Sequence, residues 1–147
     1  MLTQQFVTFD VENHFFGVPV GAVQEVLLNE HYTAMPLAPP AYGGLFNLRG
    51  EVIGTVDLRV RFGMAPRPIT GPVINVVVRV AGEAVSLLVD RIGLVADLDD
   101  SAFEPPPETL TGPTRRMVTG TYKTEGRLLL VLDVDQCVNP TPAVAAV

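Results

Sequence analysis

Two aspartates, Asp57 and Asp133, are the residues of this 147-residue chain best placed to carry out chemistry. Each ends an apolar, β-forming run, and a symmetric pair of carboxylates can share a proton, as in an acid-protease dyad. That dyad needs a tight turn in which Thr or Ser and then Gly follow the aspartate, whereas Leu58 and Val134 follow here. We therefore expect each carboxylate to end a strand and to accept backbone or arginine hydrogen bonds, and an aspartate-dyad hydrolase is a remote alternative.

Other catalytic or metal-binding patterns are missing from the sequence. The two histidines, His14 and His31, are too few for a zinc site, and neither serine, Ser86 or Ser101, has a partner histidine pattern. No Gly-rich loop carries the Lys-Ser/Thr pair that binds phosphate. The single cysteine, Cys137, excludes an internal disulfide, which is typical of a reducing cytosol. We expect no metal, no cofactor and no enzymatic activity.

The composition favours a globular β protein. Hydrophobic residues make up 48% and charged residues 18%, enough to bury a core, and the 13 glycines and 13 prolines favour short strands over a helical bundle. The net charge of −6 excludes an obvious nucleic-acid-binding face. The N-terminus lacks the basic start and apolar run of a signal peptide, and no apolar stretch is long enough to span a bilayer. A cytoplasmic protein without direct membrane contact is therefore expected.

Alternation of apolar and polar residues predicts most of the strands. A short helix is predicted over Val20–Leu27 because Val23, Val26 and Leu27 share one helical face. A long loop is predicted over Asp97–Pro113, a helical turn over Asp135–Asn139, and a frayed tail over 140–147. The predicted strands are Phe6–Val11, Phe15–Val20, Leu45–Leu48, Glu51–Arg61, Val73–Val80, Ala84–Val89, Val118–Lys123 and Arg127–Val134.

An internal repeat is the most informative feature of the sequence. Gly44, Gly50 and Asp57 recur 76 residues later as Gly120, Gly126 and Asp133, and the first hairpin recurs at an offset of 69. That second offset relates Phe9 to Val78, Val18 to Leu87, Val20 to Val89, Val23 to Ile92 and Val26 to Val95.

Each repeat holds about 70 residues, too few for a large core of its own, and closing a small sheet into a barrel removes its exposed edges. We predict an all-β fold with short helices, a single domain over 1–147 built from two pseudo-repeated barrels. The expected sub-barrels are 14–72 and 73–139, with strand 5–12 packing on either. An apolar seam and a binding groove are expected between them.

A polar turn, Asn47-Leu48-Arg49-Gly50, stands out in this apolar chain. Asn47 can bond to its own turn, Gly50 permits a tight reversal, and Arg49 at a hairpin tip could bind a carboxylate bidentately. The alternatives are that Arg49 and Glu25 are simply solvated.

These residues resemble the CheW-like domain family over roughly 5–139. The series of motifs consists of Val23-Gln24-Glu25-Val26, the Pro-rich segment 36–44 leading into Asn47-Leu48-Arg49-Gly50, Val56-Asp57-Leu58-Arg59, Leu87-Leu88-Val89-Asp90, Gly120 and Leu132-Asp133. The resemblance implies two five-stranded SH3-like barrels and a non-catalytic adaptor for chemotaxis signalling. It also implies two partners: the cytoplasmic tip of a methyl-accepting chemoreceptor and the CheW-like regulatory domain of a CheA-type histidine autokinase.

The resemblance also implies a receptor-binding set, which consists of Val23, Glu25, Asn47, Arg49, Gly50, Ile92 and Val95. It assigns no residues to the kinase contact. Recruitment to membrane-associated receptor arrays would run through these partners. The alternative is a CheW-like adaptor of another chemosensory pathway, such as twitching motility, development or second-messenger control.

Overall fold

The computed structural model of the chain describes residues 2–29, 42–66 and 73–138. His31, most of the Pro-rich segment 36–44 and the tail 140–147 lie outside these residues. The strands are β1 (Thr3–Val11), β2 (His14–Pro19), β3 (Val23–Asn29), β4 (Tyr42–Leu48), β5 (Glu51–Asp57), β6 (Val73–Val80), β7 (Glu83–Val89), β8 (Arg91–Asp99), β9 (Val118–Thr124) and β10 (Arg127–Leu132). The helices are α1 (Leu58–Arg61), α2 (Gly112–Met117) and α3 (Val134–Val138), with 3₁₀ turns at Val20–Ala22 and Asp100–Ala102.

The ten strands form two five-stranded sheets, in the orders β8-β1-β2-β10-β9 and β3-β6-β7-β5-β4. They build the first and second SH3-like barrels, which confirms the predicted fold class. The sub-barrels 14–72 and 73–139 need correction, since each barrel combines strands from both halves of the chain. The reason is an exchange of hairpins: β1 and β2 pair with strands of the second repeat, and β6 and β7 pair with strands of the first.

Strand register reproduces both sequence offsets. Val23 pairs with Val78 on β6, and their repeat counterparts, Ile92 and Phe9, pair with each other on β8 and β1. The parallel strand pairs agree as well. Gly54 lies opposite Val85 in the second barrel, and their repeat counterparts, Leu130 and Phe16, lie opposite each other in the first. The two barrels are therefore equivalent in topology and register, as expected of a duplicated unit.

Three sequence predictions of local structure are wrong. The helix over Val20–Leu27 is one 3₁₀ turn followed by strand β3, because alternate residues of this segment face the barrel. The strand predicted through Arg61 ends at Asp57, whose side chain accepts a hydrogen bond from the Arg59 amide and starts α1. The loop predicted over Asp97–Pro113 holds the end of β8, a 3₁₀ turn and the start of α2.

One large apolar core joins the two barrels. It takes Phe9 and Phe16 from the first barrel and Val76 and Leu87 from the second, all without solvent exposure. Two smaller clusters fill the separate barrel interiors. The shared core is the predicted apolar seam, and its burial stabilises the two barrels as one unit.

The two barrel interiors differ in polarity at equivalent positions. In the first barrel Phe6 packs beside Gly17, where an added Cβ would meet Leu129 at 3.2 Å and the Phe6 Cβ at 3.4 Å. In the second barrel the counterparts are Asn75 and Ser86, whose buried side chains form a 2.7 Å hydrogen bond. The first barrel is therefore packed around aromatic rings and the second around a satisfied polar pair.

Two arginines of the α1 segment bind across the seam between the barrels. The Arg59 Nε donates to Asp90 at 3.0 Å, and the Arg59 Nη1 lies 3.1 Å from the Glu12 carboxylate on the β1–β2 turn. The hydrogen bond to Asp90 is the main reason that the pKa of Arg59 is raised above its usual value. Arg61 donates to the carbonyl oxygens of Gln136 and Cys137 on α3. These contacts connect α1, which follows a strand of the second barrel, to the β1–β2 turn and to α3 of the first.

Within the described ranges, no helix has both the length and the apolar character needed to cross a bilayer.

Candidate partner-binding site

The polar turn predicted from the sequence is a two-residue reversal between β4 and β5. Leu48 pairs with Glu51, and the residues between them, Arg49 and Gly50, have φ values of 51° and 87°. Positive φ at both positions is typical of a type I′ turn, which matches the twist of the strands. The Gly50 amide donates to the Asn47 Oδ1 at 2.9 Å, as expected. This geometry projects Arg49 from the tip of the hairpin.

Arg49 and Glu25 form an ion pair between the Arg49 Nη2 and the Glu25 Oε1. Glu25 lies on β3 and Arg49 follows β4, and these strands are the two edges of the second sheet. The Arg49 side chain is 69% exposed and the Glu25 side chain is 26% exposed. The guanidinium therefore retains free N–H donors that face solvent, where a partner's acceptors can reach them.

Val23 and Ile92 occupy equivalent edge positions in the two barrels. Their partners across the ladder, Val78 and Phe9, both belong to the shared core at the seam. Val23 is half-buried against that core, whereas Ile92 and its neighbour Val95 are exposed on β8. The apolar members of the predicted set thus lie on two repeat-related edge strands.

Sequence reasoning missed three exposed aliphatic side chains on the same strands. Val26 and Leu28 face solvent on β3, and Leu94 on β8 is 88% exposed. A surface run of aliphatic residues on an edge strand is characteristic of an interaction site, because water solvates it poorly. A strand assignment of β3 places Val26 and Leu28 on its outer face, whereas Leu94 lies in a run of five exposed residues on β8, where alternation gives no signal.

The two aspartates considered for catalysis are structural caps. The Asp57 carboxylate accepts the Arg59 amide at the start of α1, and the Asp133 carboxylate accepts the Gln136 amide at 3.4 Å in α3. Asp57 ends a strand of the second sheet and Asp133 follows a strand of the first. Each carboxylate thus binds the helix that follows it, as expected from the sequence.

Two cavities of the described surface lie away from the predicted receptor-binding set. One is lined by Gln4, Phe6, Tyr122 and Asp133 among others, and the second by His14, Pro107 and Arg127 among others. None of the seven residues of the predicted receptor-binding set lines either of these cavities. Among residues 2–29, 42–66 and 73–138, no group of His, Cys, Asp and Glu could hold a metal ion.

Comparison with protein families and known proteins gives consistent matches over almost the whole chain. The model of the CheW-like domain matches residues 5–140. A protein named probable chemotaxis protein CheW from Rhizobium etli is 28% identical over 143 residues, covering 97% of this chain and 92% of its own. Chemotaxis protein CheW from Rhizobium meliloti is 30% identical over 132 residues, covering 90% and 85%.

A solved structure shows the same fold. The scaffolding protein TtCheW from Thermoanaerobacter tengcongensis superposes with a TM-score of 0.80 at 28% sequence identity, and the match covers 90% of each chain. This structure and the family match support both the two-barrel fold and a role in scaffolding.

Proposed function

The chain belongs to the CheW-like domain family of chemotaxis scaffold proteins, which are not enzymes, and from that premise we propose that it couples chemoreceptors to a histidine autokinase. The proposed partners are the cytoplasmic tip of a methyl-accepting chemoreceptor and the CheW-like regulatory domain of a CheA-type kinase. The protein would be cytoplasmic and would join membrane-associated receptor arrays through these partners. The curated relatives carry chemotaxis names, which favours chemotaxis over another chemosensory output.

The proposed receptor site combines one polar and one apolar part. The polar part consists of Arg49, presented by the turn of Asn47 and Gly50 and paired with Glu25. The apolar part consists of Val23, Ile92 and Val95 on β3 and β8. A receptor tip is a helical hairpin, so recognition would place its apolar residues against the edge strands and its carboxylates near Arg49.

The observation that carries this proposal is the position of the Glu25–Arg49 ion pair. It lies on a sheet edge that also carries two exposed aliphatic side chains, Val26 and Leu28. An exposed ion pair contributes little to stability, about 0–1 kcal/mol. Its carboxylate and guanidinium instead provide orientation for a partner, while the neighbouring aliphatic side chains provide apolar area that binding removes from water.

The experiment is a three-component pull-down with purified proteins. The immobilised kinase regulatory domain should retain the receptor's cytoplasmic fragment only when the chain is added. The variant Arg49→Glu should remain bound to the kinase domain and lose most of the receptor fragment. Arg79→Glu is the matched control, since Arg79 is exposed and, among the described residues, its side chain bonds within its own hairpin, to the Gly82 carbonyl. Receptor retention without the chain, or equal retention by the Arg49→Glu variant, would contradict the proposal.

A further inference from the structure

The cavity beside the interior of the first barrel has a volume of about 560 Å³ and combines aromatic rings with carboxylates. This volume lies within the range of about 300–1,000 Å³ that is usual for small-ligand sites. Phe6, Tyr122 and Val131 of the barrel's interior cluster form its floor. The cavity shares no residue with the proposed receptor site, and the coupling function makes no use of it.

The aromatic part of the cavity is held in a fixed arrangement. The Tyr122 ring lies 5.5 Å from the Phe6 ring and 5.3 Å from the Phe103 ring, centroid to centroid, and both pairs are tilted. Phe103 packs directly on Gly120, where an added Cβ would lie 2.1 Å from the ring. Gly120 is thus required for the close approach of Phe103, and the three rings are positioned before any ligand binds.

The hydroxyl group of Tyr122 lacks a partner among the residues that the structure describes. Tyr122 is 2% exposed and lines the cavity, yet its hydroxyl forms no hydrogen bond with a described residue. Burial, and then the charges of Asp100 and Asp99, raise the pKa of this phenol, so it stays neutral. The side chain is buried, but its hydroxyl oxygen is not enclosed and opens into the cavity, where it can donate a hydrogen bond to a ligand or accept one.

Three carboxylates, those of Asp100, Asp133 and Asp135, line the same cavity. None of them forms an ion pair with any residue in the described parts of the chain. A cation entering the cavity would therefore find acceptors that are not already neutralised. Aromatic faces also attract cations, so rings and carboxylates favour the same sign of charge.

Two residues that line the cavity differ in kind between the two duplicated barrels. At the equivalent positions of the second barrel, Phe6 is replaced by Asn75 and Asp135 by Arg59. The carboxylate is thus replaced by a cation, and that cation is already engaged by Asp90 and Glu12. The fold itself consequently does not require Phe6 or Asp135, whereas Asp133 has an acidic counterpart, Asp57, in the second barrel.

We propose that this cavity binds a guanidinium group on a flexible alkyl chain. A guanidinium is planar, stacks on aromatic rings and carries five N–H donors, which match the Tyr122 hydroxyl and the three carboxylates. An arginine side chain of a partner protein and a free alkylguanidine carry this same group. Either source would place the charged end among Asp100, Asp133 and Asp135 and the alkyl chain along the rings.

The test is a titration of the isotope-labelled chain followed by amide chemical shifts. The probes are N-acetyl-arginine-N-methylamide, which mimics a peptide-borne side chain, agmatine, which is a free alkylguanidine, and N-acetyl-citrulline-N-methylamide, which is a neutral isostere. Saturable shifts at Phe103, Thr119 and Val134 with the two guanidines and not with the citrulline are expected. Tighter binding of the blocked arginine indicates a partner protein, and tighter binding of agmatine indicates a small molecule.

Two substitutions locate the binding in this cavity. Tyr122→Phe removes only the hydroxyl, and Asp135→Asn removes one charge; each should weaken guanidine binding roughly tenfold, as expected for a lost charge-assisted hydrogen bond. Asp97→Asn removes the same charge at an exposed position of β8 outside the cavity and should bind as the parent does. Absence of saturable shifts, equal binding of the citrulline, or equal weakening by Asp97→Asn would overturn the proposal. Receptor and kinase are absent from this assay, so its outcome is independent of the proposed coupling function.

Discussion

The Arg49 guanidinium contacts the Glu25 carboxylate, so that one ion pair joins the two edge strands of the second barrel. The repeat counterparts in the first barrel are Glu125 and Leu94, which cannot form such a pair. The duplicated barrels therefore differ at this edge as well as in their interiors. The Arg49–Glu25 pair joins the two edge strands and leaves the Arg49 guanidinium exposed, and this arrangement is the basis of the proposed receptor site.

Reversing the charge at Arg49 should weaken receptor binding and leave the stability of the fold almost unchanged. Arg49→Glu should weaken binding of the receptor fragment at least tenfold, since a charged contact at an interface is lost. The free energy of unfolding should change by no more than about 1 kcal/mol because the pair is exposed. Calorimetric titration and chemical denaturation measure the two quantities.

The exchanged double variant, Glu25→Arg with Arg49→Glu, provides the control. It should regain the parent's stability and still bind the receptor weakly, because the receptor's groups would meet the opposite charges. Recovery of full binding in the double variant would show that the pair acts only within the barrel.

The turn that presents Arg49 should depend on Gly50. Gly50→Ala places a Cβ at a φ of 87°, which should lower the free energy of unfolding by about 1 kcal/mol. Gly21→Ala is the matched control, since its added Cβ meets nothing within 4 Å and its φ is ordinary for L-residues. Equal midpoints of urea denaturation for both variants would contradict the assigned turn.

Arg59 should be important for the packing of the two barrels. Its side chain is 23% exposed and contacts Asp90 and Glu12, which lie beyond α1. Arg59→Ala should lower the free energy of unfolding by about 2 kcal/mol because the Asp90 and Glu12 carboxylates lose their ion pairs with the guanidinium. The exposed Arg115 of α2 offers a control, and Arg115→Ala should leave stability within about 0.5 kcal/mol. An equal loss of stability in both variants would contradict the proposed role of Arg59 in the packing of the two barrels.

Burial of Cys137 predicts a pH dependence of stability. Burial raises the pKa of the Cys137 thiol from 9.0 to about 12. Between these values the unfolded thiol is ionised while the folded thiol keeps its proton, so the folded state binds more protons. The free energy of unfolding should therefore fall as pH rises from about 9 to about 12, by up to about 1.4 kcal/mol per pH unit.

Denaturation of the parent and of Cys137→Ala at several pH values isolates this contribution. The variant should show a shallower decline, because other groups still titrate in both proteins. Rapid modification of the native thiol by an aromatic disulfide reagent near pH 8, or equal slopes for both proteins, would contradict the burial of Cys137.

Much of the architecture could be predicted from repetition in the sequence. The two offsets, read from residues such as Gly44 and Val23, reappear as equivalent registers in both barrels. The exchange of hairpins could not be predicted, because β1 and β6 occupy equivalent repeat positions and their residue patterns do not distinguish the two sets of neighbours. Which copy each hairpin joins is decided by connection geometry and by packing in the shared core.

Two predictions of local structure fail at the proposed binding surface for one physical reason. The sequence pattern predicts a helix where β3 lies, and it does not predict β8 as a strand. On β3, Glu25 is half-buried while Val26 and Leu28 face solvent, so the apolar residues do not mark the inner face. On β8, Ile92 and Leu94 are exposed in the same way. Functional edges break the rule that relates hydrophobicity to burial, and a pattern-based prediction fails there. The Glu25–Arg49 contact cannot be predicted from the pattern, because the pattern places Glu25 in a helix and Arg49 in a distant turn.

The most direct measurement is the footprint of a receptor's cytoplasmic hairpin on the isotope-labelled chain. The coupling account predicts that amide shifts and line broadening concentrate at Val23, Glu25, Arg49, Ile92 and Val95. It also predicts that Arg49→Glu abolishes them while leaving the rest of the spectrum unchanged. A footprint confined to other surfaces, or one that persists undiminished in the Arg49→Glu variant, would contradict the proposed receptor site.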